Sequence, residues 1–217
     1  MPELPEHIVE LLPDLLLAIG QTALMLAVGL AAALAFGGPL GVLLFRLRPG
    51  PVAGLLNWLV NTVRSFPFII LLVALVPFTR VLTGTSIGPL AAAVPLSFAA
   101  IPYFARLVEQ CLREVPRGVI EAAQAMGASE FQIITRVLLR EARSGLAGAL
   151  TVLAISFLSY SAVAGVVGGG GIGDLAIRYG YYRFQTDVMV LTVAILIALV
   201  QLIQFIGNSA ARRLDKR

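Results

Sequence analysis

The chain has 217 residues, 59% of them hydrophobic and 13% charged, with a mean hydropathy of +0.92. That is about half the charged fraction of an ordinary soluble domain and defines a multi-span membrane protein. The net charge of +4 sits in short arginine tracts beside apolar runs, which is a topology signal and not a nucleic-acid surface. The one cysteine, Cys111, excludes an internal disulfide, and the one histidine, His7, has no Cys or His partner for a metal site. Lys216 is the only lysine, so no phosphate-binding loop ending in Gly-Lys-Ser/Thr exists here. If ATP drives this protein, another chain binds it.

The first residues, Met1 to Asp14, carry Glu3, Glu6, Glu10 and Asp14 and no basic residue, unlike a secretory signal, and read as a retained, non-cytoplasmic end. Crossing ~30 Å of hydrocarbon takes roughly 20 helical residues. Five apolar runs qualify: Leu15–Phe45, Trp58–Thr79, Ile87–Leu107, Leu146–Val167 and Val188–Ala211. Gly37-Gly38-Pro39 is expected to kink the first or to begin an interfacial segment. In the second, Arg64 is expected to snorkel from the first turns, with Trp58 at headgroup level. Thr83 to Ser86 with Gly88-Pro89 then mark a tight turn into the third. The spans leave no room for a separate soluble core, so residues 1–217 form a single transmembrane domain.

Arg46, Arg48, Arg64, Arg106, Arg113, Arg117, Arg136, Arg140, Arg143, Arg212, Arg213, Lys216 and Arg217 fall on one side of five spans. Arg80, Arg178 and Arg183 fall on the other. The asymmetry predicts an all-α membrane protein of five transmembrane helices, N-terminus outside and C-terminus cytoplasmic. No charged residue occupies the central part of any span. An ion-coupled transporter usually places Asp, Glu or His there, so energy supplied from outside the bilayer is favoured, although backbone carbonyls at broken helices also bind sodium.

Between the third and fourth spans lies a loop expected to be cytoplasmic, residues 114–143, which holds a polar, helix-forming island from Glu121 to Gly127. Pro116 suits a first turn, and Arg117 to Met126 is rich in Ala, Glu and Gln. Val119, Ile120, Ala123 and Met126 share one face. Gly127 is placed to end the helix in the left-handed conformation, and Ser129 with Gln132 forms a capping-box pattern that starts the next. A helix of about ten residues is marginal alone. Its apolar face fits either the membrane surface or a groove on a partner protein.

The layout Glu121-Ala122-Ala123, three residues, Gly127, nine residues, then Val137-Leu138-Leu139 resembles the cytoplasmic signature loop of ATP-binding-cassette (ABC) importer permeases of the type I fold. Further blocks extend the match over nearly the whole chain from Leu40: Arg64 to Leu72, Pro77 to Arg80, Gly84 to Gly88, Gly118 to Ala123, Ala125 to Ala128 and Gly173 to Tyr182. They are most similar to the methionine-importing branch of that family. The resemblance implies a homodimer of this five-span subunit in the bacterial inner membrane, in contact with lipid. It also implies two copies of an ATP-binding subunit, which holds ATP and Mg, and an extracytoplasmic methionine-binding lipoprotein. Glu121, Ala122, Ala123, Met126 and Gly127 become the ATPase-coupling residues. One departure is visible: Arg140 stands where the wider family closes its signature with proline, and the helix is expected to continue into the fourth span.

Gly168 to Gly173 formally fits a dinucleotide fingerprint, but it follows an apolar run and not a strand. Its glycines are expected to permit close backbone approach or gating, and Tyr179, Tyr181 and Tyr182 to form an interfacial belt. Ser156, Ser159, Tyr160 and Ser161 place hydroxyls in the fourth span, either for helix packing or, at Tyr160, Ser161 and Val163, as the lining of a pathway. The alternatives are an ABC permease for another amino acid, a self-sufficient, ion-coupled secondary transporter or channel, and an intramembrane enzyme. The last lacks any catalytic cluster, so no catalytic residue is assigned.

Overall fold

The computed structural model describes the backbone of residues 4–215 and side chains from Glu10 to Asp215. Glu3, Glu6, His7, Lys216 and Arg217 lie outside the described side chains. Every regular element is helical among the described residues. In chain order they are α1 (Leu4–Ala32), a π-helical turn (Ala33–Gly37), α2 (Gly38–Arg46), α3 (Pro51–Ser65), α4 (Phe68–Ala74), α5 (Val76–Thr83) and α6 (Pro89–Arg113). Then come α7 (Arg117–Ala125), α8 (Glu130–Gln132), a second π turn (Ile133–Leu138), α9 (Leu139–Glu141), α10 (Arg143–Val166), α11 (Gly171–Leu175), a third π turn (Ala176–Tyr181) and α12 (Thr186–Leu214).

Among the described residues, four stretches are long and apolar enough to cross a membrane: Glu10–Arg46, Pro89–Arg113, Arg143–Val166 and Thr186–Leu214. The bent pair α3 and α4 makes a fifth if counted as one span. α6 and α10 form the core, where Leu96, Phe104, Leu153 and Phe157 are almost fully buried with Met25 from α1. α12 lies against α10 but is mostly exposed, so its apolar face is left for lipid or another chain.

The expected break at Gly37-Gly38-Pro39 is a π-helical turn just before Gly38, and the helix runs on through it. Gly37 and Gly41 have a further role. A Cβ at Gly37 would stand 2.6 Å from the Ile101 carbonyl, and one at Gly41 2.5 Å from that of Ala105. This Gly-x-x-x-Gly pair lets the first helix lie directly on the α6 backbone, as small residues do between membrane helices.

The run Trp58–Thr79 is not one helix. α3 and α4 meet at 102° and α5 follows after Leu75. Pro67 forces Phe66 into an extended conformation (φ −73°, ψ 132°) and Pro77 starts α5. Arg64 therefore sits in the last turn of α3, not the first turns of a span, with its guanidinium 5.6 Å from the Tyr103 ring centroid. The apolar composition concealed the break because each fragment is itself hydrophobic.

Candidate coupling site and pathway

α7 begins after Pro116, which is the cap and not a first-turn residue. It ends in a complete Schellman motif: Gly127 N–H donates to the Gln124 carbonyl (2.9 Å) and Ala128 N–H to that of Ala123 (3.1 Å). Gly127 has φ +78°, and a Cβ there would meet nothing within 4 Å, so conformation alone requires glycine. The capping box is present, with Ser129 N–H donating to Gln132 Oε1 (2.9 Å) and Gln132 N–H to Ser129 Oγ (3.3 Å).

The four residues expected on one apolar face divide. Ala123 is buried and Ile120 half-buried, both in the same cluster as Ile133 and Leu138 of the following helical segment, whereas Val119 and Met126 are exposed, Met126 by 82%. α7 is thus anchored by its own chain and needs no outside groove to hold it. Glu121, Ala122 and Met126 face solvent, and Glu121 makes no ion pair among the described residues.

Two polar links not foreseen from sequence fix this end of the bundle. Arg46 at the end of α2 pairs with Glu130 of α8. Glu109 of α6, its side chain 6% exposed, accepts from Arg106 (2.5 Å) and Arg113 (2.7 Å), and Arg106 also donates to Asn57 (2.6 Å) and Asn61 (3.0 Å) of α3. The i, i+3 and i, i+4 spacing of Arg106, Glu109 and Arg113 is visible in the sequence and was the available signal. At Arg140 the helix continues almost unbroken: Ala142 N–H reaches the Leu138 carbonyl (2.9 Å), Leu146 N–H reaches that of Ala142 (2.8 Å), and Arg140 is exposed.

In α10 the three pathway candidates differ in setting. Tyr160 is half-buried and stacked on Phe68 of α4 with ring centroids 4.8 Å apart. Ser161 is 2% exposed and donates to the Leu158 carbonyl (2.7 Å), a packing position within this chain. Val163 is half-buried beside the main core.

At the opposite end of α6 and α10, the glycine run turns the chain back into α11. Gly170 and Gly171 adopt φ +73° and +82°. Gln21 Oε1 accepts from Gly171 N–H (2.7 Å) and Thr22 Oγ1 from Ile172 N–H (3.0 Å), so α1 caps the free amides of α11. A Cβ on Gly173 would fall into the backbone of Ala162, and one on Gly165 into that of Asp174. Tyr179 donates to Asp14 (2.8 Å) and lies under Arg183, 4.4 Å from its ring centroid, while Tyr181 and Tyr182 are exposed.

The described residues thus form an apolar helical bundle with a capped polar loop whose exposed face carries Glu121 and Met126, the layout of a membrane transport subunit. The chain belongs to the family of binding-protein-dependent transport system inner membrane components, whose model matches residues 37–217. It is 48% identical over 211 residues, 94% of each chain, to a probable D-methionine transport system permease protein of Vibrio cholerae. It is 44% identical over 158 residues to the methionine import system permease protein of Bacillus subtilis, covering 73% of this chain and 71% of that one. Among solved structures it matches a chain of the methionine ABC transporter MetNI in an inward-facing conformation, with TM-score 0.93 and 43% identity over 95% of this chain and 99% of that one.

Proposed function

We propose that this chain is the permease subunit of an ATP-driven importer that carries methionine, in both L and D forms, across the bacterial inner membrane. It performs no hydrolysis itself; a separate ATP-binding subunit, two copies per transporter, supplies the energy with ATP and Mg. Two copies of the permease enclose the pathway, and an extracytoplasmic methionine-binding lipoprotein delivers the substrate. In this reading the chain has five spans, with the bent α3–α4 pair counted as one, the α7 loop and C-terminus lie in the cytoplasm and the N-terminus outside; the arginine asymmetry supports it.

The observation that carries this reading is the exposed face of α7, where Glu121, Ala122 and Met126 stand clear of a helix anchored through Ala123. A partner gripping that face moves α7, and the Schellman turn and capping box transmit the displacement through α8 and α9 to α10 as a rigid unit. Alternating access follows when α10 and the Tyr160–Phe68 contact shift together, with Tyr160 and Val163 nearest the pathway and Ser161 holding the helix behind them. The test is reconstitution with the ATP-binding and binding-protein subunits in vesicles. Methionine uptake that requires ATP supports the proposal, and uptake by the permease alone on an ion gradient overturns it.

A further inference from the structure

The structure also holds an unexplained polar group at the junction of α5, α6 and the glycine turn. Thr79 is 3% exposed and its hydroxyl has no hydrogen-bond partner. An unsatisfied buried hydroxyl is costly, and native structures pair such groups with protein or ordered water. Thr79 lines a cavity of about 10 Å³, together with Leu72, Ser86, Ala91, Pro95 and Gly169. One water needs about that much space, roughly 10–15 Å³.

A second polar group arises on the same wall for an independent reason. Pro95 lies inside α6 and has no N–H, so the carbonyl of Ala91, four residues earlier, loses its intrahelical donor. Both Ala91 and Pro95 line the cavity, so the Thr79 hydroxyl and the residue whose carbonyl lacks the Pro95 donor border one water-sized space. Ser86, exposed and on the same lining, offers a further hydroxyl and a route for exchange with solvent. On the same wall, a Cβ at Gly169 would stand 2.7 Å from the Ala164 carbonyl oxygen and 2.9 Å from the Ala92 Cβ, so the lining admits only glycine there.

We propose that this cavity is a structural water site: one water accepts from or donates to Thr79 Oγ1 and donates to the Ala91 carbonyl, joining α5 to α6 beside the glycine turn. The water supplies the bond that Pro95 removes, so the proline can stay within α6.

Two measurements on the assembled transporter test it. A map of sufficient resolution to show ordered waters elsewhere should contain one within hydrogen-bond distance of both Thr79 Oγ1 and the Ala91 oxygen; a dry cavity overturns the proposal. Thr79→Val keeps the shape and removes the hydroxyl, and should lower the melting temperature by about 2–4 °C, whereas Thr79→Ser should stay closer to the parent. If the hydroxyl is instead buried without a water, Thr79→Val relieves it, and a melting temperature equal to or above that of both parent and serine variant sinks the idea.

Discussion

The two ends of the α6–α10 bundle both turn on left-handed glycines, yet for different physical reasons. At the α7 end, Gly127 has open space where a Cβ would be, and neighbouring elements are tied by side chains: Arg46 of α2 with Glu130 of α8, and Arg106 of α6 with Asn57 and Asn61 of α3. At the α11 end, the left-handed Gly170 and Gly171 turn the chain, and the helical Gly165 and Gly173 have no room for a Cβ because α11 lies on the α10 backbone. One end is held by polar bonds and presents a surface. The other adds close backbone contact to the hydrogen bonds that Gln21, Thr22 and Asp14 of α1 make to it. The first arrangement leaves the exposed face of α7 free, and the second leaves no space between α11 and α10.

The largest test of the polar end is Glu109→Ala. It leaves Arg106 without its carboxylate partner where that arginine's side chain is 16% exposed. Breaking such a buried pair costs about 3–5 kcal/mol; the expectation is a large fall in folded yield from membranes, and a yield equal to the parent would mean that the Asn57 and Asn61 contacts suffice. At the close-packed end, Gly173→Ala must displace the Ala162 backbone, at about 1–3 kcal/mol for overpacking. Its melting temperature should fall while purified ATP-binding subunits still co-purify with it, and loss of that association would show that the two ends are not separable as argued.

Gly127→Val sharpens the contrast because no atom obstructs it. The cost is conformational, about 1–2 kcal/mol, and the helix exit angle changes. Insertion in the membrane should be normal and methionine uptake lost, while Gly127→Asn, which tolerates the left-handed region, should retain part of it. Normal uptake by the valine variant would remove the coupling role. The smallest effect is expected for Ser129→Ala, about 1 kcal/mol of cap stability, read as increased hydrogen exchange confined to α8; unchanged exchange there would mean that the Ile133–Leu138 turn holds α8 unaided.

Local chemistry made much of the α7–α8 loop legible. Gly127 at a helix end and the Ser129–Gln132 spacing specify their hydrogen bonds within a few residues, and both motifs form. The shared apolar face of α7 was legible as a pattern, but not its division: Ile120 and Ala123 go into the chain's own core while Val119 and Met126 stay out. Ser161 illustrates the same gap in the fourth span, since a hydroxyl in an apolar helix reads as lining or packing until its neighbours are known.

The sequence by itself determined the class, because hydropathy, arginine placement and short-range caps depend only on residues near one another along the chain. It also carried the family blocks. Only the tertiary structure decided that Trp58–Thr79 is three helices with a 102° bend, that Gly37 and Gly41 seat the first helix on α6, and that Gln21 and Thr22 cap α11 from 150 residues away. Those outcomes depend on which surfaces meet. A proline or a glycine announces that the backbone is free to turn or to approach, but the partner that makes use of this lies elsewhere in the chain.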